Sequence, residues 1–147
     1  MRVLVQEEPF DLAAETAHFA QGEGDSGAIV TFTGVVRDLD DAPLEAMEIE
    51  HYPGMTEKAL RDIAEQAVAR FELQDVLVIH RYGRLVPGAQ IMMVATAARH
   101  RRSAFDAADF LMDYLKSRAP FWKREITAKG ESWVAAKDED EAALARW

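Results

Sequence analysis

The 147-residue sequence contains no cysteine. Disulfides, thiolate metal sites and cysteine nucleophiles are therefore excluded, and any covalent chemistry must use another group. The sequence also lacks an apolar run near the ~18 residues that a membrane span needs, and its N-terminus, MRVLVQEEPFDL, is too acidic for a secretory signal. We therefore expect a cytoplasmic protein without a membrane partner.

Basic residues are scarce over much of the chain. The net charge of −9 argues against nucleic acid as a partner, because such binding needs many Lys and Arg contacts to phosphates. Residues 1–50 hold twelve acidic side chains and only two basic ones, Arg2 and Arg37, whereas residues 99–124 hold seven basic and three acidic ones. This reversal predicts a small anionic ligand, since a concave basic site attracts it while the acidic remainder repels polyanions.

The length and the composition, 49% hydrophobic and 29% charged, fit one globular domain over residues 1–147. We predict an α+β fold in which antiparallel sheet segments pack with two main helices. The predicted helices are a short one capped by Asp11, one at 56–71 and one at 103–119. The 56–71 helix is amphipathic, with apolar residues at helical spacing: Leu60, Ile63, Ala64, Ala67, Val68 and Phe71. Residues 137–147 are predicted to form a short acidic helix or an ordered arm.

The predicted strands lie at 28–38 (expected to be buried), 44–52, 75–83, 90–98, 121–127 and 131–135. We expect 75–83 to pair antiparallel with 90–98 across a turn at Pro87 and Gly88, and 121–127 to pair with 131–135 across a turn at Lys129 and Gly130.

Several basic residues flank the 103–119 helix. Ser103 and Asp106 have the spacing of a capping box, which places His100 and Arg101 just before the helix N-terminus, a position that favours anions. Lys116 falls in the last turns, and Lys123 follows in the next predicted strand. A lysine near a helix C-terminus is most often a favourable surface charge, so the pattern alone leaves the roles of these residues open.

The remaining candidate residues give weaker signals. Four histidines without an i, i+4 helical pair, in a chain without thiolates, predict no metal site, and His51 and His80 are expected to be structural. Phe32 and Met112 are candidates for pocket lining, although such residues more often belong to a core. Lys137 and Arg146 are candidates to reach the pocket of a neighbouring subunit.

Five segments, in one order along the chain, resemble the large, catalytic subunits of molybdopterin synthase, the MoaE family. They are FTGVVR (32–37), EHYPGMTEKAL (50–60), VIHRYG (78–83), RHRRSAFDA (99–107) and MDYLKSRAPFWKRE (112–125). The family resemblance implies an α/β-hammerhead-type fold and a homodimer with one small subunit at each outer end, forming a heterotetramer. One departure is the second arginine after the His-Arg pair, which leaves that pair in register.

The resemblance also implies a sulfurtransferase reaction without a cofactor of its own. Two sulfurs pass from the C-terminal Gly-Gly thiocarboxylate of a small ubiquitin-like subunit to cyclic pyranopterin monophosphate (precursor Z). The product is the dithiolene of molybdopterin, in molybdenum cofactor biosynthesis. The resemblance implies that Lys116 and Lys123 are catalytic and bind substrate, and that Arg37, His100 and Arg101 bind it too, the last two from the same or the neighbouring subunit.

Two other functions fit the residues. One is Schiff-base chemistry by a lysine on a phosphorylated carbonyl compound. The other is a non-catalytic module that binds an anion or recruits a partner.

Overall fold

The computed structural model describes residues 1–22, 24–135 and 137–147. Its elements are β1 (Arg2–Gln6), α1 (Leu12–His18), β2 (Ala28–Val35), β3 (Leu44–His51), α2 (Met55–Phe71), β4 (Asp75–Arg81), β5 (Gly83–Leu85), β6 (Gln90–Ala98), α3 (Arg101–Ser117), β7 (Phe121–Thr127), β8 (Gly130–Trp133) and α4 (Asp138–Leu144). The strands form two four-stranded sheets, and the predicted α+β class is confirmed. Among these helices none is long and apolar enough to cross a membrane.

The first sheet has the strand order β1-β4-β6-β2. The predicted antiparallel pairing of β4 with β6 is confirmed, with Val78 opposite Val94. β1 was not predicted; it lies parallel to β4, so this sheet is mixed rather than purely antiparallel. β4 and β6 are buried almost throughout because both faces of the sheet are covered.

The two long helices cover one face of the first sheet. Leu60 of α2 and Leu111 of α3 are both fully buried and pack with Val78 and Val94 of the sheet. The apolar spacing predicted for α2 therefore faces the core as expected. Phe10 and other apolar residues around α1 cover the opposite face, and Asp11 caps α1 as predicted, its side chain accepting a hydrogen bond from the Ala14 backbone N–H at 3.0 Å.

The second sheet has the order β5-β3-β7-β8. The predicted hairpin of β7 and β8 is confirmed, with Thr127 opposite Gly130 at the turn. β5 is a three-residue strand that was not predicted as a separate strand, and it pairs with β3. β7 of the second sheet begins four residues after the end of α3. Lys116, in the last turn of α3, and Lys123, in β7, therefore lie on either side of this junction.

Two local predictions are wrong. α3 begins at Arg101 rather than Ser103, and its N-cap, His100, makes no side-chain capping bond, so no capping box forms. The helix starts at Arg101 because the Ala104 N–H donates to the His100 carbonyl at 3.4 Å, which makes His100 the N-cap. The buried Thr96 hydroxyl donates to the Ala104 carbonyl at 2.7 Å and attaches the first turn to β6. The predicted burial of the 28–38 strand also fails, because β2 lies at a sheet edge and leaves Ile29 52% and Val35 50% exposed.

Candidate functional site

Two adjoining cavities lie where the C-terminal end of α3 meets β7 and the end of β2. The larger has a volume of about 510 Å³ and the smaller about 250 Å³. Lys116 and Lys123 line both cavities, together with the apolar residues Val35, Ile91 and Leu115. The two lysines singled out from the sequence are therefore brought together at one concave site.

The α3–β7 turn fixes the relative position of the two lysines. The helix closes with the backbone N–H of Arg118 donating to the Tyr114 carbonyl at 2.8 Å. The buried Thr56 hydroxyl then donates to the Pro120 carbonyl at 3.1 Å, which attaches the turn to the start of α2. Lys116 thus occupies the last turn of a packed helix, and Lys123 a paired strand opposite Ile49.

Lys123 is the lysine with a perturbed proton affinity. Burial, followed by the positive charge of Lys116, lowers the pKa of Lys123 to about 8, and Asp140 opposes that change. A lysine with this pKa is about one-tenth neutral amine at pH 7, compared with a far smaller fraction for an ordinary lysine. Lys123 can therefore serve as an ammonium or as an amine near neutral pH.

The larger cavity collects charge of both signs. Arg37 and Lys137 line it with the two lysines, and Glu125 and Asp140 add two carboxylates. Four cationic side chains against two acidic ones give this cavity a positive excess in a chain of net charge −9. Such a site attracts small anions while the surrounding surface repels large ones.

The smaller cavity holds two further residues that the sequence suggested as pocket lining. Phe32 and Met112 both line it, as the sequence suggested. Phe32 is 42% exposed because β2 is an edge strand. This cavity can accept a flat or extended apolar group beside the lysines.

His80 also lines the smaller cavity. The histidine is 3% exposed, and its Nδ1 donates to the backbone carbonyl of Arg81 at 2.8 Å. Its buried, hydrogen-bonded state matches the structural role predicted for it. Its place in the cavity wall was not predicted, and neither was that of Asp140. The one sequence feature that could have pointed to His80 is its place in the VIHRYG segment (78–83), which is predicted to be a strand and carries part of the family resemblance.

His100 and Arg101 lie away from both cavities. They are exposed residues at the N-terminal end of α3, whereas Lys116 lies near its C-terminal end. The fifteen residue steps from Arg101 to Lys116 span about 22 Å of helix. Within one chain, the structure thus joins Arg37 to the lysines but does not bring His100 and Arg101 to them.

Arg146 also has partners inside its own chain. Its guanidinium contacts Asp109 at 2.7 Å and Asp113 at 2.9 Å. The neighbouring Trp147 donates from its indole N–H to Asp113 at 2.6 Å. These contacts attach the C-terminal segment to α3, and the reach of Arg146 toward a neighbouring subunit's pocket stays a prediction.

Fold and cavity together define an α+β protein with a cavity lined by three lysines and an arginine. The model of the MoaE protein family matches residues 5–118, and the chain belongs to this family. The molybdopterin synthase catalytic subunit of Cereibacter sphaeroides is 69% identical over 147 residues, covering 100% of both chains.

Solved structures are similar over nearly the whole chain. A molybdopterin biosynthesis MoaE protein from Burkholderia ambifaria is 52% identical, with a TM-score of 0.84, covering 100% of this chain and 98% of that one. Molybdopterin synthase from Staphylococcus aureus is 27% identical, with a TM-score of 0.82, covering 89% of this chain and 95% of that one. Lys123 and Lys137 lie beyond the residues matched by the family model, but within the full-length match to the Cereibacter protein.

Proposed function

We propose that this chain is the catalytic subunit of a molybdopterin synthase, which transfers sulfur from a partner's C-terminal thiocarboxylate to precursor Z. The observation that carries the proposal is the meeting of Lys116, Lys123 and Arg37 at one cavity, in a chain 69% identical to a protein of that name. Both substrates are anions, which matches the positive excess in this cavity.

Each sulfur transfer forms one carbon–sulfur bond on the pterin substrate and breaks one carbon–oxygen bond there and one acyl–sulfur bond on the partner. The thiocarboxylate sulfur attacks a carbon of the pterin substrate, the oxygen on that carbon leaves with the bonding electron pair and is protonated, and water then attacks the acyl carbon of the resulting thioester. The resulting tetrahedral oxyanion collapses, the sulfur stays on the substrate, and the partner's tail is left as a carboxylate. Two thiocarboxylates supply the two sulfurs of the dithiolene.

The two lysines serve this sequence in different ways. Lys116 is exposed at the mouth of both cavities and supplies positive charge for the oxyanion. Lys123, with its pKa lowered to about 8, can also accept a proton from the attacking water and return it to a leaving group. Arg37 offers forked donors that fit the substrate's phosphate.

A reconstituted reaction tests this function. The chain is mixed with precursor Z and a thiocarboxylated small subunit, and molybdopterin is measured. Product is expected only with all three components. Trapping of a lysine adduct by borohydride with a sugar phosphate, without need for the small subunit, would instead support Schiff-base chemistry. Phosphate binding without turnover would leave an anion-binding module.

A homodimer completes the proposed site. β2 is the edge of the first sheet and exposes Ile29, Phe32 and Val35, so a second copy is a fitting occupant for this edge. The start of β2 lies beside the α3 N-terminus, because the Gly27 N–H donates to the Ala98 carbonyl at 3.0 Å. The end of β2 lies at the lysine cavities.

Antiparallel pairing of two β2 edges about a twofold axis brings the start of one strand to the end of the other. His100 and Arg101 of one chain would then lie near Arg37 and Lys116 of its partner. The separation of these groups within one chain, across the length of α3, supports this assignment of His100 and Arg101 to the neighbour's site.

Mixing two inactive variants tests the shared site. Arg101→Ala and Lys116→Ala chains are combined under conditions that exchange subunits. If the site is shared, each mixed dimer has one intact site, and random mixing restores about a quarter of wild-type sites. If both residues serve their own chain, no mixed dimer has an intact site and activity stays at the level of the separate variants.

The same proposal places the protein in the cytoplasm, together with a small ubiquitin-like partner. The name "catalytic subunit" of the Cereibacter relative supports a second, sulfur-carrying subunit. Cell fractionation followed by copurification with a tagged small subunit tests both points.

A further inference from the structure

His80 is a buried imidazole in the wall of the lysine site that the proposed mechanism does not use. Its nearest aromatic neighbour is Phe121 of β7, whose ring stacks on it with centroids 3.8 Å apart and planes at 18°. β4 belongs to the first sheet and β7 to the second, so this stack joins the two sheets at the edge of the smaller cavity.

The strand geometry places Lys123 beside this imidazole. Residues i and i+2 of a strand project from the same face, so Lys123 leaves β7 on the same side as Phe121, one pleat further on. His80 and Lys123 line the same 250 Å³ cavity. The aliphatic part of the Lys123 side chain therefore lies on the same side of β7 as the Phe121 ring, which stacks on the His80 imidazole.

The hydrogen bond at Nδ1 fixes which nitrogen can act. A backbone carbonyl only accepts, so the Nδ1 bonded to the Arg81 carbonyl must carry the proton. In the neutral ring, Nε2 is then an acceptor with a free lone pair. Burial, followed by the charge of Lys123, lowers the pKa of His80 to about 3, so the ring is neutral over the physiological range.

We propose that His80 is a positioning residue for Lys123: Nε2 of the neutral imidazole accepts a hydrogen bond from the Lys123 ammonium when that side chain turns into the smaller cavity that both residues line. The side-chain arrangement of this structure does not itself contain the bond. Once formed, it holds Nζ at the junction of the two cavities and stabilises the ammonium without adding a second positive charge. A carboxylate in this place would raise the proton affinity of Lys123 much further. For its catalytic meaning, the inference rests on the proposed function.

Other charged groups around the pair must be considered in any titration. Lys116 of α3 lowers the pKa of Lys123, and Asp140 of α4 raises it. His51 of β3 contributes to the lowered pKa of His80, and Arg37 lines the larger cavity next to Lys123. All of these are unchanged in the variants below, so a changed midpoint of Lys123 reports on His80.

The test is an NMR titration of the chain labelled with ¹³C at the lysine ε-carbons, with the Lys123 signal assigned by its loss in Lys123→Arg. His80→Phe keeps a ring to stack on Phe121 but removes Nε2, and His80→Asn keeps a donor for the Arg81 carbonyl while removing Nε2. In both variants the Lys123 midpoint should fall by about one pH unit, because the ammonium loses an acceptor.

His80→Gln places an amide oxygen near the position of Nε2 and should restore the wild-type midpoint. His18→Gln, on the exposed surface of α1, is the matched control and should leave it unchanged. A melting curve identifies any variant that does not fold; if His80→Phe is lost in this way, His80→Asn decides. An unchanged or raised midpoint in the folded Nε2-lacking variant would overturn the proposal.

Turnover gives a second readout. In the reconstituted reaction, His80→Phe or His80→Asn should lower kcat about tenfold, leave the KM for precursor Z unchanged, and move the pH profile in the direction of the NMR midpoint. The titration needs no substrate. If wild-type chain makes no molybdopterin while the midpoint changes as expected, the proposed function fails and the His80–Lys123 contact stands.

Discussion

Replacing Lys116 by alanine should raise the pKa of Lys123. Burial and the charge of Lys116 together bring this pKa from the ordinary 10.5 to about 8, with burial the larger cause. Lys116→Ala removes only the smaller cause, so the midpoint should rise by less than half of that difference, to roughly 8.5–9. At pH 7 the neutral fraction of Lys123 would then fall from about one-tenth to a few per cent or less.

The assay is the lysine ε-carbon titration, with two further variants for comparison. Asp140→Asn should lower the Lys123 midpoint, since Asp140 raises it in the wild-type chain. Lys58→Ala, which removes an exposed lysine paired with Asp62 on α2, should leave it in place. A Lys123 midpoint that stays put or falls in Lys116→Ala would refute the electrostatic coupling of the two lysines.

Three further predictions concern binding, chemistry and stability. Arg37→Ala should raise the KM for precursor Z about tenfold or more at unchanged melting temperature, because an exposed cavity arginine supplies a charge-assisted contact to phosphate; an unchanged KM would remove Arg37 from the site. Lys123→Ala should slow single-turnover product formation by about 10²–10³-fold while calorimetry still shows binding of the small subunit, and Lys123→Arg should not restore the rate because a guanidinium cannot release its proton. Equal losses of binding and rate would make Lys123 a docking residue. Leu111→Ala should lower the unfolding free energy by about 2–5 kcal/mol in a denaturant titration, since this side chain is fully buried in the main core; a loss below about 0.5 kcal/mol would contradict that packing.

The sequence predicts those elements whose signal is local. The helical spacing of Leu60, Ile63 and Ala67 directly specified the buried face of α2. The cap at Asp11 and the turn before Gly130 likewise depend on neighbours within a few residues. These features were confirmed because side-chain chemistry within one turn or hairpin determines them.

Features that depend on distant contacts were missed. β1 has a single buried residue, Val3, and becomes a strand because it pairs with β4, more than seventy residues away. The first turn of α3 is attached to β6 by the contact of Thr96 with Ala104, which a capping pattern at Ser103 does not reveal. The exposure of β2 follows from its place at the sheet edge, and sheet order is not encoded in one strand's composition.

The residues of the candidate site fall into the same two groups: those that the sequence pointed to, and those that only the packing of distant segments brings to the site. Family resemblance singled out Lys116 and Lys123, and a lone positive charge at a strand end singled out Arg37; the fold brings these three together. His80 and Asp140 line the cavities only because β4, β7 and α4 pack together there. The VIHRYG pattern marks the strand that carries His80, but it does not show which residues that strand packs against. The pKa of Lys123 was left undecided from the sequence, because the balance of burial and nearby charge depends on that packing.

Transfer of labelled sulfur tests the central claim most directly. A small subunit carrying a ³⁵S thiocarboxylate is mixed with precursor Z and either the wild-type chain or the Lys116→Ala/Lys123→Ala double variant, and the label in the pterin product is counted after one turnover. We predict two labelled sulfurs per molybdopterin with the wild-type chain, and almost none with the double variant although the small subunit still binds. Wild-type labelling by the double variant, or a labelled product formed without this chain, would contradict the account.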